Sequence, residues 1–300
     1  MSSYHTPVLL NECVDALNIK QGGVYVDVTF GGGGHSKEIL KRLDKTARLI
    51  AFDQDTDAQA NIIEDNRFLF IHSNFRYIKN YLRYYEIEKV DGILADLGIS
   101  SFHIDAKERG FSFMSDADLD MRMNKKMKKT AADIVNEYDE KDLIRIFRQY
   151  GEIKNAGALA KQIVTARSLK KIKRVNDFIE IIKNKIPKRQ ENKYLAKVFQ
   201  ALRIELNDEI TALEEFLLAT GTILNKGGRL VVMSYHSLED RYVKNYIRSG
   251  NSKGIVEKDI YGNYEQIFKQ VTKKPIVPNE EEINRNPRAR SAKLRIAEKL

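Results

Sequence analysis

Apolar and polar positions along the first hundred residues alternate between two patterns. Four short apolar runs predict buried strands, over Val24–Val28, Leu49–Phe52, Phe68–His72 and Val90–Leu97. The segments between these runs favour helices, as the spacing of Ile39, Leu40 and Leu43 illustrates. Strands that alternate with helices predict an α/β fold, with a doubly wound parallel sheet and right-handed connections.

The pattern becomes helical after the fourth strand. No segment between 106 and 193 has a strand pattern, and three helices are predicted there, over 139–150, 155–167 and 175–186. A long helix over 194–224, with a kink near Asn207, then leads back to a strand over 229–234. The predicted domains are a discontinuous sheet domain over 1–105 and 194–300 and an inserted helical domain over 106–193.

The stretch VYVDVTFGGGGHS joins the first strand to the next helix. Gly31–Gly34 carry no side chains and Ser36 opens a helix, so backbone N–H groups there can approach a ligand closely. The second strand ends in Asp53, about 20 residues past the glycines, where an acid accepts hydrogen bonds from ribose hydroxyls. A tight turn and a helix-capping acid would explain each feature alone. The ordered set predicts a nucleoside-cofactor site.

Two cofactors compete for this site, a dinucleotide and S-adenosylmethionine. The dinucleotide fingerprint needs a third glycine, and that position is Ser36 or Lys37 in the two possible registers. Asp27, at the end of the first strand, would repel a pyrophosphate but suit the ammonium group of a methionine tail. The residues therefore favour S-adenosylmethionine. Phe75, just past the third strand, would either stack on the adenine or pack in the core.

Composition narrows the class of protein. With 300 residues, of which 42% are hydrophobic, a sizeable core is expected. The single Cys13 excludes an internal disulfide framework and a cysteine-based zinc site, and we expect it to be a buried core thiol. No metal site is predicted. The chain shows no signal peptide and no apolar run of 18 residues, so a cytoplasmic protein without a membrane partner is expected.

The net charge of +9 is unevenly distributed. Residues Met121–Lys193 contain 20 Lys and Arg against 9 Asp and Glu, a net +11, which leaves −2 for the remainder. Such asymmetry is typical of a polyanion-binding surface on a neutral catalytic body. The alternative is a set of solvated Lys-rich helices.

Eight motifs follow one another over nearly the full length: HTPVLLNE, DVTFGGGGHS, DLGISS, ERGFSF, LDMRM, FQALRIELNDE, SYHSLEDR and NPRARS. Together they resemble the bacterial 16S ribosomal RNA cytosine-N4 methyltransferase family, also called MraW. The resemblance implies methylation of a cytidine in the decoding centre, in the P-site region of the small ribosomal subunit. It also implies a Rossmann-like, S-adenosylmethionine-dependent methyltransferase sheet with an inserted helical subdomain. The charge of that subdomain predicts that it recognises the RNA substrate.

The resemblance assigns cofactor contacts to residues of these motifs, namely Gly33, Gly34, His35, Asp53, Phe75 and Asp96. One further family contact is a glutamine, in a stretch that usually reads S-S-P-Q. Here the stretch is Ser100-Ser101-Phe102-His103, so His103 takes the glutamine's position. An imidazole can replace one amide hydrogen bond, but not both the donor and the acceptor.

The cytosine amine is a weak nucleophile, because its lone pair is delocalised into the ring. Catalysis therefore requires a group that activates it. Asp96 is the first candidate to accept an N–H from that amine, unless it only binds the cofactor. His236 is the second candidate and could take up the released proton, with a helix-capping histidine as the equal alternative. Tyr235 is a candidate for stacking on a flipped base.

Four arginines in the motifs either bind phosphates or pair with local acids such as Asp120 and Asp240: Arg109, Arg122, Arg203 and Arg241.

Two other functions stay open. An RNA-binding or assembly protein with a vestigial pocket is one, although the intact glycines and Asp53 argue against it. A DNA amino-methyltransferase is the other. Such enzymes typically show a D/N-P-P-Y-type motif after the fourth strand, where this chain has Asp96-Leu97-Gly98-Ile99. The sequence leaves the oligomeric state open, a homodimer included.

Overall fold

The computed structural model describes residues 7–98, 107–187, 189–256, 261 and 266–300. The chain forms two compact units. The first comprises Met1–Gly98 and Thr211–Leu300, and the second comprises Ile99–Ile210.

The first unit is built on a seven-stranded sheet with the strand order β3-β2-β1-β4-β5-β7-β6. The strands are β1 (Val24–Asp27), β2 (Arg48–Asp53), β3 (Phe68–His72), β4 (Val90–Asp96), β5 (Leu224–Ser234), β6 (Phe268–Gln270) and β7 (Lys293–Lys299). Strands β1 to β5 are parallel, and β7 runs antiparallel to both of its neighbours. The predicted α/β fold with a parallel sheet is confirmed, and the carboxyl ends of β1, β2 and β4 meet at one edge.

The α-helices of the described residues are α1 (Leu10–Ala16), α2 (Gly34–Arg42), α3 (Ile78–Tyr84), α4 (Ala131–Glu137), α5 (Glu140–Gln149), α6 (Ala156–Arg167), α7 (Val175–Ile182), α8 (Glu191–Asn207), α9 (Glu209–Ile223), α10 (Ser237–Ser249) and α11 (Glu280–Arg285). Short 3₁₀ turns cover Thr56–Asn61, Phe75–Tyr77, Lys107–Arg109, Lys183–Lys185 and Pro287–Ser291.

The predicted long helix over 194–224 is two helices, α8 and α9. The break lies at Asp208, whose φ of 51° is in the left-handed region, next to the predicted kink at Asn207. Strand β5 also begins earlier than predicted. Its register against β4 jumps from Leu224 opposite Val90 to Arg229 opposite Gly92, so the intervening residues form a bulge.

Helix α8 belongs to the second unit, whereas the sequence placed nearly all of it in the sheet domain. The physical reason is its buried face, because Leu195, Val198 and Leu202 lie in the same hydrophobic cluster as Phe147 and Phe178 of the helical unit. Helix α4 was missed by the sequence analysis. Its Thr130 and Asp133 form a capping box, a spacing that marks a helix start.

Both faces of the sheet are covered by apolar side chains. One core contains Val26, Ile50 and Ile93 together with Phe216 of α9, and the other contains Tyr25, Leu49 and Leu94 with residues of α1 and α2. Cys13 is fully buried in the second of these cores, which confirms the predicted core thiol. The sheet is thereby fixed on both sides, and its carboxyl edge presents the loops that follow the strands.

Candidate cofactor and catalytic site

The glycine loop between β1 and α2 is packed so tightly that two of its residues must be glycine. Gly33 has φ of 73°, and a Cβ on it would lie 2.9 Å from the ring of Phe30. A Cβ on Gly34 would lie 2.3 Å from Cγ of Pro7. Both glycines therefore let the chain turn into the N-terminus of α2, where backbone N–H groups are available to an anion or a polar ligand.

Asp27 ties this loop to the helix that follows. It is 1% exposed, its Oδ2 accepts a hydrogen bond from Ser36 Oγ at 2.6 Å, and its Oδ1 accepts one from the Thr29 N–H at 3.1 Å. Burial raises the pKa of Asp27, and the bonds from Ser36 and Thr29 oppose that shift. Its oxygens are used inside the loop, so its structural role is anchoring.

Asp53 lies at the end of β2, on the edge where the sequence predicted a ribose acceptor. Its Oδ2 accepts a hydrogen bond from the Gly31 N–H at 2.7 Å, and its Oδ1 accepts one from the Asp55 N–H at 2.8 Å. The side-chain amide of Asn61 donates to the Gly31 carbonyl at 3.0 Å. Asp53 is therefore an anchor of the glycine loop, and its contact with a cofactor stays a prediction.

Asp96 ends β4 and faces groups from several segments of the sheet unit. Its N–H donates to Thr29 Oγ1 at 2.7 Å, and its Oδ2 lies 3.8 Å from Nδ1 of His35. Its Oδ1 is buried and has no hydrogen-bond partner among the described residues.

Burial raises the pKa of Asp96 to about 6, although His35 and Tyr235 oppose that shift. The negative charges of Asp27 and Glu239 raise it further. Burial also lowers the pKa of His35, against the influence of Asp96. Burial thus moves the pKa of the Asp96 carboxyl up towards neutrality and the pKa of the neighbouring His35 imidazole down.

His236 is the N-cap residue of α10. Its Nδ1 accepts a hydrogen bond from the Glu239 N–H at 3.2 Å, and its Nε2 lies 3.1 Å from Glu239 Oε1. Both ring nitrogens therefore face Glu239, an arrangement that favours the capping role over proton uptake. The catalytic role of His236 stays a prediction.

Glu239 is a residue of this site that the sequence analysis missed. It is 4% exposed, and its Oε2 accepts a hydrogen bond from the Tyr235 N–H at 3.0 Å. The signal was available in the motif SYHSLEDR, because an acid three residues after an N-cap residue is the spacing of a capping box.

Phe75 opens the 3₁₀ turn directly after β3, as its predicted position requires. Its ring packs edge-on against Phe216 with the ring centroids 5.3 Å apart. The ring is only partly buried within that core, so a contact with adenine stays a prediction. His103, the other aromatic ring predicted at the cofactor, lies outside the described residues.

Arginines of the predicted phosphate-binding set are engaged within the helical unit. Arg122 donates to both oxygens of Asp120, each at 2.7 Å. Arg203 donates to both oxygens of Glu209 at 2.7 and 2.9 Å. These contacts favour pairing with local acids, the alternative that the sequence left open.

The other two arginines of that set differ in their surroundings. Arg109 is 6% exposed and donates to the Arg122 carbonyl at 2.6 Å, so it supports a loop of the helical unit. Arg241 is exposed. Asp240 is bound by Arg295, at 2.6 and 3.1 Å, and by Lys293 at 3.3 Å, both on β7.

A shallow hollow on the helical unit is lined by six charged residues: Asp118, Lys170, Lys171, Lys173, Arg174 and Asp177. Arg174 pairs with Asp116 at 3.1 Å, and Lys170 lies 3.6 Å from Asp177. Lys171 and Lys173 are exposed at the same hollow. The ammonium groups of Lys170, Lys171 and Lys173 can turn towards a polyanion. Arg174 is instead held by its ion pair with Asp116 inside the helical unit.

Comparison with known proteins bears on the whole chain. A family model described as the MraW methylase family matches residues 2–300. The chain belongs to the MraW methylase family. A relative named "Ribosomal RNA small subunit methyltransferase H", from Phocaeicola vulgatus, is 60% identical over 296 residues, which cover 99% of this chain and 97% of the relative. A relative of the same name from Flavobacterium johnsoniae is 55% identical over 297 residues, covering 99% and 98%.

A solved structure described as a putative rRNA methylase from Clostridium thermocellum covers 99% of this chain, with 12% identity and a TM-score of 0.44. With this TM-score, the similarity supports no conclusion about the function of the chain. Membership of the MraW methylase family, together with the sheet, indicates an S-adenosylmethionine-dependent methyltransferase of Rossmann-like fold. Within the described ranges, no helix is long and apolar enough to cross a membrane.

Proposed function

We propose that this protein transfers a methyl group from S-adenosylmethionine to N4 of a cytidine in the decoding centre of 16S ribosomal RNA, in the P-site region. The relatives named above support ribosomal RNA of the small subunit as the substrate. The observation that carries the chemistry is Asp96, whose buried Oδ1 lacks a hydrogen-bond partner within the described residues. Because an unsatisfied buried acceptor is costly, a ligand N–H is expected to bind there.

The residues at the sheet edge fit S-adenosylmethionine. Asp53 has the position of a ribose acceptor, and Asp96 provides negative charge for a cofactor that carries a sulfonium and an ammonium group. The cofactor would be held by residues of four loops, namely Gly33, Gly34, His35, Asp53, Phe75, Asp96 and His103. When bound, it supplies an electrophilic methyl group.

Asp96 has two roles that are compatible with its position. As an acceptor for an N–H of the cytosine amine, it would favour the nucleophilic form of the nitrogen and stabilise the positive charge that develops. With a pKa of about 6, its carboxylate is also a stronger base than an ordinary aspartate. His236 is the less favoured proton acceptor, because protonation at Nδ1 would break its hydrogen bond to the Glu239 N–H.

The helical unit is proposed to hold the RNA. It contains 24 Lys and Arg against 17 Asp and Glu over residues 99–210, so most of the net charge of +9 lies there. The lysines at the hollow, Lys170, Lys171 and Lys173, are placed to contact phosphates without disturbing a core. Because small ribosomal subunits are cytoplasmic, the proposal assigns the protein to the cytoplasm.

The proposal is tested by mass-spectrometric nucleoside analysis of small-subunit RNA from cells with and without this protein. We expect N4-methylcytidine at one decoding-centre position only when the protein is present, and its restoration when purified protein and S-adenosylmethionine act on subunits from the deficient cells. The control is the Asp96→Asn variant, which should not restore the methyl group. An unchanged nucleoside profile, or methylation of DNA instead, would contradict the proposal.

A further inference from the structure

An N-terminal segment and a C-terminal segment of the sheet unit are joined by one hydrogen bond. Oε1 of Glu282, in helix α11, accepts the backbone N–H of Leu9 at 2.8 Å, although the two residues are 273 positions apart. Leu9 is the N-cap residue of α1, and its φ of 49° lies in the left-handed region that residues other than glycine rarely adopt. The carboxylate therefore binds the backbone where its conformation is strained.

The start of helix α11 places the Glu282 carboxylate. Asn279 is the N-cap residue of α11, and its side chain accepts the Glu282 N–H at 2.8 Å. A glutamate at this third helical position commonly accepts the N–H of its own N-cap residue, which completes a capping box. Here Oε1 of that glutamate accepts from Leu9 instead. The carboxylate thus connects distant segments of the sheet unit.

The segment that Glu282 binds packs on the glycine loop. A Cβ on Gly34 would lie 2.3 Å from Cγ and 3.0 Å from Cδ of Pro7, so the proline ring lies directly against the glycine backbone. Leu9 is buried in the core that also contains Ile39 of α2. Because Pro7 is only two positions from Leu9, a shift of the Leu9 backbone moves the proline ring at the loop.

We propose that Glu282 is a positioning residue of the cofactor site, which holds the Leu9 backbone so that Pro7 stays packed on the glycine loop. Two motifs of the sequence thereby gain a role, HTPVLLNE and the segment directly before NPRARS. The contacts stand on the geometry alone, whereas the consequence for S-adenosylmethionine binding rests on the proposed function. Glu282 is not assigned to touch the cofactor, because it acts through Leu9 and Pro7.

The competing explanation is that this hydrogen bond only joins the two segments and stabilises the fold. The explanations differ in where loss of the bond is felt along α2. The Lys37 N–H donates to the Gly33 carbonyl at 2.9 Å at the loop end of α2, and the Leu43 N–H donates to the Ile39 carbonyl at 3.1 Å at the far end. A positioning role loosens the first of these bonds alone, whereas a general loss of stability exposes both.

The first test is amide hydrogen exchange, followed by NMR, in the full-length protein without cofactor. In Glu282→Ala we expect the Leu9 and Lys37 amides to exchange about tenfold faster, while Leu43 stays within about twofold of the wild type. Glu282→Gln keeps an acceptor oxygen in the same place, so it should restore slow exchange. The matched control is Glu281→Ala, which removes the adjacent exposed acid of α11 and should leave all three amides unchanged.

The second test is calorimetry with S-adenosylmethionine, at a temperature well below the melting transition of every variant. Because affinity falls with the fraction of molecules whose loop is competent to bind, Glu282→Ala should raise the Kd about threefold to thirtyfold. Pro7→Ala removes the ring atoms that lie against Gly34 and should also raise the Kd. Since both changes act on one contact, the double variant should bind little worse than the weaker of the two single variants.

Kinetics on small ribosomal subunits give a third readout. In Glu282→Ala the KM for S-adenosylmethionine should rise with the Kd, whereas kcat at saturating cofactor should stay within about twofold of the wild type. The reason is that bound cofactor favours the ordered loop and so compensates for the missing hydrogen bond.

Three results would overturn the inference. In Glu282→Ala these are an unchanged Lys37 amide, and equal acceleration at Lys37 and Leu43. The third is full additivity of the Glu282→Ala and Pro7→Ala losses of affinity. If Glu282→Ala does not fold, Pro7→Ala alone should still accelerate Lys37 and not Leu43, and the opposite result rejects the inference. If the wild-type protein does not bind S-adenosylmethionine, the proposed function fails, and hydrogen exchange still decides whether Glu282 positions the loop.

Discussion

Two carboxylates at the edge of the sheet, Asp27 and Asp96, differ in their partners from Asp120 and Asp116 of the helical unit. In the sheet unit, Asp27 accepts a hydrogen bond from the Ser36 hydroxyl, Asp96 Oδ1 has no hydrogen-bond partner among the described residues, and burial raises the pKa of both carboxyls. In the helical unit, burial alone would raise the pKa of Asp120, but the hydrogen bonds from Arg122 hold it below its ordinary value. Arg174 likewise lowers the pKa of Asp116.

The difference separates Asp96, which has an oxygen available to a ligand, from Asp120 and Asp116, which pair with arginines and hold the fold of the helical unit. A raised pKa means that the folded state disfavours the charged form, so the stability contributed by that group falls as pH rises from the unfolded to the folded pKa. A lowered pKa has the opposite sign, and stability is lost as pH falls through it. The sheet unit therefore keeps a destabilising charge at Asp96, where a ligand can use it.

The largest effect is expected in the helical unit. Arg203 and Glu209 form an ion pair whose side chains are 7% and 15% exposed. Arg203→Met leaves Glu209 without its cation in a nearly buried position, so the free energy of unfolding should fall by about 3–5 kcal/mol. Chemical denaturation measures this. The control is Arg145→Met, which removes the ion pair between Arg145 and Glu205. The Arg145 side chain is 41% exposed, so the free energy of unfolding should fall by about 1 kcal/mol or less. Equal losses would contradict the comparison.

Asp96→Asn should act in the opposite direction on stability. The pKa of Asp96 is raised from 3.8 to about 6, so the variant should gain up to about 3 kcal/mol of stability above pH 6 and nothing below pH 4. Methyl transfer should fall a hundredfold or more. Chemical denaturation at pH 4 and above pH 6 measures the change in stability. Single-turnover kinetics measure the change in the methyl-transfer rate. A rate that recovers fully at saturating cofactor would leave Asp96 as a binding residue only.

Asp53→Ala should weaken S-adenosylmethionine binding by about 2–3 kcal/mol, because hydrogen bonds to a charged acceptor are lost and the glycine loop loses its anchor. Calorimetry measures the affinity. Asp65→Ala removes a carboxylate of the same unit that pairs with Arg67, and it should leave the affinity unchanged. Wild-type affinity in Asp53→Ala would reject the ribose assignment.

The smallest effect on the fold is expected at the hollow on the helical unit, where Lys170, Lys171 and Lys173 lie. Replacing Lys170, Lys171 and Lys173 by Gln should flatten the salt dependence of small-subunit binding by about two to three units of log–log slope. Melting temperature should change little, because exposed lysines contribute little to folding. Arg174 is left in place because it pairs with Asp116. The matched control replaces exposed lysines of the sheet unit, Lys269, Lys273 and Lys274. An unchanged slope would mean that the RNA binds elsewhere.

The sequence was sufficient where structure depends on local pattern. The apolar run Phe68–His72 is strand β3 without a change of boundary. The glycines and Asp53 lie where the spacing predicted, because strand ends of a parallel sheet share one edge. The sequence pattern did not predict the start of β5. Residues 225–228 have the composition of a turn, but they form a bulge within the strand.

The rest of the site depends on contacts between distant segments. The pKa of Asp96 is raised mainly by burial and is shifted further by His35, Tyr235 and Glu239, which come from two other parts of the chain. No local pattern reports such distances. Likewise, Arg203 could pair with several nearby acids, and only the break at Asp208 brings Glu209 within 2.7 Å.

The place of β7 has a consequence for folding during synthesis. Strand β7 lies between β5 and β6, although it is made after both. Until residues 293–299 have been synthesised, β5 has no neighbour on that side, and its segment Leu230–Met233 is fully apolar. An open apolar edge of this kind pairs readily with other chains. A nascent chain that stalls before residue 293 is therefore expected to be prone to aggregation through the open edge of β5. A chaperone that covers β5 would be needed most during such a stall.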